Sequence, residues 1–99
     1  MAESDTQIHL EVLLQEPKMS KVILLNDDYT TMDFVINILM DIFGKSYHQA
    51  SEIMMSVHKN GSGVCGVYPY DIAEFKAKQA KLKAQKYRFP LKIITQDLN

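Results

Sequence analysis

The hexamer Asn26-Asp27-Asp28-Tyr29-Thr30-Thr31 gathers oxygen acceptors at one point of the chain. Two readings fit it. Asn and Asp side chains bond nearby backbone in turns and at helix starts, so the segment reads as a strand-to-helix turn. The same acceptors could instead hold a cation. A Mg²⁺ or Ca²⁺ ion needs more oxygens at defined spacing than six residues offer, whereas an organic ammonium needs only two or three acceptors. His58 lies beside Val57 near a helix end, where an imidazole answers the negative dipole. With Met54 and Val57 before it, that helix edge is part apolar and part hydrogen-bonding. Cys65 stands between Val64 and Gly66-Val67 and reads as a buried strand residue. A thiol catalyst built from Cys65 and His58 lacks a third, orienting group.

These residues need elements to position them. Lys21-Val22-Ile23-Leu24-Leu25 is an apolar, β-branched run that Asn26-Asp27-Asp28 stops, which predicts a buried strand. From Met32 the period changes. Met32, Val35, Ile36, Leu39, Ile42 and Phe43 recur at helical spacing, with Thr30 or Thr31 as N-cap and Gly44 as the stop. A second helix follows Ser46, whose capping box is completed by Gln49, and closes at Asn60-Gly61. Gly63–Tyr68 reads as a strand whose glycines mark a bend or close packing. Pro69 opens a third helix running to about Lys86, and Pro90 precedes a last strand over Leu91–Thr95. The order β-α-α-β-α-β predicts an α+β domain with helices on one face of a small sheet. Residues 1–20 read as an N-terminal tail. Its Leu10–Leu14 stretch suits a strand or an induced helix equally.

Composition narrows the function. The 99 residues suffice for one domain, and 46% apolar with 23% charged residues is an ordinary globular balance. Twelve acidic against eleven basic side chains leave a net charge of −1, which argues against a dedicated nucleic-acid binder. Six of the eleven basic residues do fall between Lys76 and Arg88, but they spread around the helix and read as a solvated face. Their clustering keeps a basic-helix nucleic-acid or ribosome-associated module as the alternative. One cysteine excludes an intramolecular disulfide and suits a reducing compartment. No apolar run approaches the roughly 20 residues of a membrane span, and Met1–Gln7 is acidic and polar, unlike a targeting signal. A cytoplasmic protein, with no metal, cofactor, membrane or nucleic acid among its ligands, is the expectation.

The segment Lys21–Met32, the spaced Met54…Val57-His58 and the strand Val64-Cys65-Gly66-Val67-Tyr68 together resemble the ClpS family. These are the N-degron adaptors of ClpAP-type proteases. The resemblance covers residues 19–95, and it assigns residues 21–96 to the adaptor domain. It implies a three-stranded antiparallel sheet with three helices on one face, similar to the C-terminal domain of the ribosomal stalk protein. It further implies a non-enzymatic monomer that delivers proteins with bulky first residues (Leu, Phe, Tyr, Trp) to the N-terminal domain of a ClpA-type unfoldase. Asn26, Asp28 and His58 match positions that bond the substrate's free α-amino group. Leu25, Asp27, Thr30, Met32, Val35, Met54, Val57 and Leu91 match positions around the first side chain, and Asp71 and Lys76 match positions that touch the unfoldase. The chain departs from the pattern at Thr31, Pro69 and Phe75, where proline, threonine and a small residue are common.

Overall fold

The computed structural model describes residues 18–98. Strand β1 (Met19–Leu25) alternates as a half-buried strand should: Ser20, Val22 and Leu24 are buried, and the residues between them are partly exposed. It is the central strand. Strand β2 (Ser62–Pro69) pairs antiparallel on one side and β3 (Lys92–Asp97) on the other, in the order β2-β1-β3. Val22 faces Gly66 while Ile23 faces Val64, so Cys65 is an extra residue in β2, a bulge that tightens the local twist. Both β1 and β3 reach beyond the spans read from sequence. β1 takes in Met19 and Ser20, which fall in the tail expected over residues 1–20; residues 1–17, including Leu10–Leu14, lie outside the described residues.

Three helices cover one face of the sheet. Helix α1 (Met32–Asp41) starts where the Thr31 side chain accepts from the Phe34 amide, and it buries Val35, Ile38 and Leu39. Helix α2 (Tyr47–Asn60) has the predicted capping box: Ser46 Oγ accepts from Gln49 N, and Gln49 Oε1 accepts from Ser46 N, each at 3.1 Å. It ends at Gly61, whose φ of +88° is the left-handed conformation that glycine adopts without a Cβ penalty. Close packing of α2 on β2 depends on Gly63, where a Cβ would meet the Ile53 carbonyl oxygen at 2.9 Å.

Helix α3 (Tyr70–Lys86) turns Ala73, Ala77, Ala80 and Ala84 inward. Its end is a Schellman motif built on an arginine. Arg88 has φ +62°, its amide donates to the Gln85 carbonyl at 3.1 Å, and the Phe89 amide donates to the Ala84 carbonyl at 2.9 Å. Two of the lysines read from sequence as solvated are engaged instead. Lys76 Nζ donates to the Ile42 carbonyl at 2.8 Å and so caps α1, and Lys83 Nζ reaches Asn37 Oδ1 at 2.8 Å and Asp41 Oδ2 at 2.9 Å. The opposite face of the sheet presents Val64 and Ile94 to solvent. Among the described residues no helix is long and apolar enough to cross a membrane.

Candidate functional site

The loop after β1, the start of α1 and the facing side of α2 enclose a cavity of about 280 Å³. Its lining is Asn26, Asp27, Asp28, Thr30, Met32, Val35, Met54, Val57 and His58. Two kinds of surface meet there. Val35, Met54 and Val57 are largely buried and supply an apolar wall from α1 and α2. Asn26, Asp28 and His58 are exposed and set hydrogen-bonding groups beside it. Met32, 50% exposed at the first position of α1, stands where the apolar and the open parts join.

The loop keeps its shape through Asp27. Its carboxylate Oδ1 accepts from the Tyr29 amide at 2.8 Å and the Thr30 amide at 2.7 Å, an Asx turn that leads the chain into α1. Burial alone raises the Asp27 pKa, but the Thr30 and Tyr29 donors and the charge of Lys92 outweigh it. The carboxyl therefore titrates below its ordinary range. The Thr30 hydroxyl lies near this carboxylate, yet its oxygen is buried with no hydrogen bond of good geometry among the described residues. The loop is also tied to α2: the Asn26 amide donates to the Gly61 carbonyl at 3.0 Å. That bond places Asn26 and His58, which are distant in sequence, at one cavity.

Nine of the eleven pocket residues expected from sequence thus line a single cavity. Leu25 and Leu91 are not in its lining; Leu25 is half-buried at the end of β1, and Leu91 packs against the hydrophobic core. Asp71 is exposed in the first turn of α3, and Lys76 is the partly buried cap described above. Sequence reasoning missed Gly61 as the anchor of the loop, although Asn60-Gly61 was read as a helix stop. Cys65 is fully buried in β2, and burial pushes its thiol up to about 12, far from a reactive thiolate. Among the described residues no three His, Cys, Asp or Glu side chains converge as a metal site would require.

Known proteins are similar to this chain in sequence and in fold. The family model described as "ATP-dependent Clp protease adaptor protein ClpS" matches residues 15–94. The ATP-dependent Clp protease adapter protein ClpS of Wolinella succinogenes is 50% identical over 96 residues, covering 97% of this chain and 94% of that protein. The protein of the same name from Campylobacter jejuni strain RM1221 is 54% identical over 86 residues, covering 87% of this chain and 90% of its own. Among solved structures, Agrobacterium tumefaciens ClpS2 bound to L-phenylalaninamide superposes with a TM-score of 0.80 at 43% identity, covering 83% of this chain and 99% of that one. The chain belongs to the ClpS family, the adaptor proteins of ATP-dependent Clp proteases.

Proposed function

We propose that the cavity between the β1–α1 loop and α2 binds the free N-terminus of a substrate protein together with its bulky first side chain. The adaptor then presents that substrate to the Clp unfoldase. One observation carries the reading: Asn26, Asp28 and His58 stand beside the apolar wall of Val35, Met54 and Val57, and among the described residues no lysine or arginine lines that cavity. A free α-amino group, with a pKa near 7.7–8.0, is mostly charged at neutral pH. An internal residue has no such ammonium and leaves the acceptors unpaired, which is where discrimination arises. Asn26 Oδ1 and the Asp28 carboxylate accept from the ammonium directly, and His58 accepts through an unprotonated ring nitrogen. Val35, Met54 and Val57 receive the side chain, and burying a Leu or Phe there contributes roughly 1.5–3 kcal/mol. The Agrobacterium protein's ligand, L-phenylalaninamide, has this chemistry: a free amino group and a phenyl ring.

On this reading the protein is a non-enzymatic, cytoplasmic monomer. The first turn of α3 with Asp71, and Lys76 one turn on, face the N-terminal domain of a ClpA-type unfoldase. The basic-helix alternative is weakened, because Lys83 is held by Asn37 and Asp41 and the remaining basic residues spread around the helix instead of forming a phosphate-binding stripe. The deciding experiment titrates peptides that differ only at the N-terminus. Phe- and Leu- peptides should bind with weak salt dependence. Acetylation of the Phe peptide removes charge and donors, and binding should fall by at least about 2 kcal/mol, roughly thirtyfold. Undiminished binding of the acetylated peptide would refute the proposal.

A further inference from the structure

Helix α1 provides Met32 and Val35 to the cavity, yet among the described residues only α2 lies along its backbone over several residues. Its other flank is held by side chains from the far end of the chain. Phe34, in the first turn, packs its ring against Phe89 at 4.7 Å between centroids and against Tyr87 at 5.6 Å, both tilted. Neither Phe34, Tyr87 nor Phe89 lines the cavity. The Schellman turn at Arg88 fixes where the last two stand, since the Phe89 amide is bonded back to the Ala84 carbonyl.

Helical geometry makes this packing consequential. Successive residues turn by about 100°, so Phe34 projects about 200° away from Met32, on the opposite flank of the same turn. Tyr87 and Phe89 thus back the flank of this turn opposite the one that gives Met32 to the cavity. We infer that Phe89 and Tyr87, acting through Phe34, are positioning residues that set the mouth width and so the preference for first residues unbranched at Cβ. The inference rests on the reading of the cavity given under Proposed function. Ile and Val carry two heavy atoms on Cβ and cannot rotate both away from a constriction, whereas Leu and Phe are narrow there.

The test compares Leu- and Ile- peptides on the full chain and on Phe89→Ala, Phe89→Tyr and Cys65→Ala. Methyl NMR signals of Met32 and Val35 are recorded in the same samples without peptide. Phe89→Ala should lower the Leu-over-Ile preference by roughly two- to tenfold, the range spanned by losing one aromatic pair. It should also shift the Met32 and Val35 methyl signals. Phe89→Tyr keeps the ring and should restore both. Cys65→Ala, a core truncation in β2, should lower the unfolding midpoint and leave the preference unchanged. Should Phe89→Ala not fold, Phe89→Leu keeps apolar volume without the ring and should show the same loss of preference. Unchanged preference with unmoved methyl signals would overturn the clamp alone. Failure of the unsubstituted protein to bind either peptide would overturn the reading of the cavity, and the inference with it.

Discussion

The Asn26 amide donates to the Gly61 carbonyl across 3.0 Å, and this bond joins the acceptor-rich loop to the end of the helix that carries His58. Gly61 has φ +88°, and a Cβ built there meets nothing within 4 Å, so the penalty for any other residue lies in the backbone alone. Gly61→Ala should cost about 1–2 kcal/mol of stability. Because the loop loses its anchor as the backbone relaxes, affinity for peptides with a free N-terminus should drop further than the unfolding midpoint explains. Urea unfolding and peptide titration on the same variant check both effects.

Met32 opens α1 and is half exposed at the cavity mouth. Met32→Ala should admit peptides beginning with Ile or Val while Leu and Phe peptides lose little. A clash of about 1–3 kcal/mol sets the scale, enough for a ten- to hundredfold preference in the unsubstituted protein. Equal affinity of the unsubstituted protein for Ile and Leu would show that Met32 is no gate.

Asp27 provides the pH dependence. Its folded-state pKa lies below the ordinary 3.8, because amide donors and Lys92 outweigh burial. A carboxyl depressed on folding contributes stability that is complete above the unfolded value and is lost as pH falls through the folded one. The stability difference between the unsubstituted protein and Asp27→Ala should therefore be constant above about pH 5 and shrink below pH 3.8. Unfolding of both proteins across that range gives the measurement.

Arg88 occupies a left-handed position that glycine fills more easily. Arg88→Gly should raise stability by about 0.5–1 kcal/mol, a midpoint increase of roughly 2–8 °C for a domain of this size. Peptide affinity should not change, since the turn and the Phe89 ring keep their places.

What the sequence revealed was what is local. The Ser46–Gln49 capping box, the glycine stop at position 61 and the strand break at Asn26 each depend on neighbours within four residues, and each is legible in the sequence. The first two residues of β1, Met19 and Ser20, are not legible as strand because Ser20 lacks the strand-forming pattern; its hydroxyl instead donates to Asp97 Oδ1 at 2.7 Å, across the sheet. The engagement of Lys76 and Lys83 is likewise not local. Their partners on and beyond α1 lie 34 to 46 residues away, and no helical spacing points to them. The cavity itself was legible largely through family resemblance. The residues alone suggested an ammonium site at the loop, but not that Val35 and Met54 would meet it.

Four alanines are all that α3 turns inward, at positions 73, 77, 80 and 84, and with them it lies against all three strands. A methyl group lets the helix backbone approach the sheet closely, but it removes far less apolar surface from water than Leu24 or Ile38 does. The seam between α3 and the sheet is thus thinly glued along a 17-residue length. In native-state hydrogen exchange, α3 amides should open through a partial, low-energy detachment, while those of β1, paired on both sides, exchange only when the whole domain unfolds.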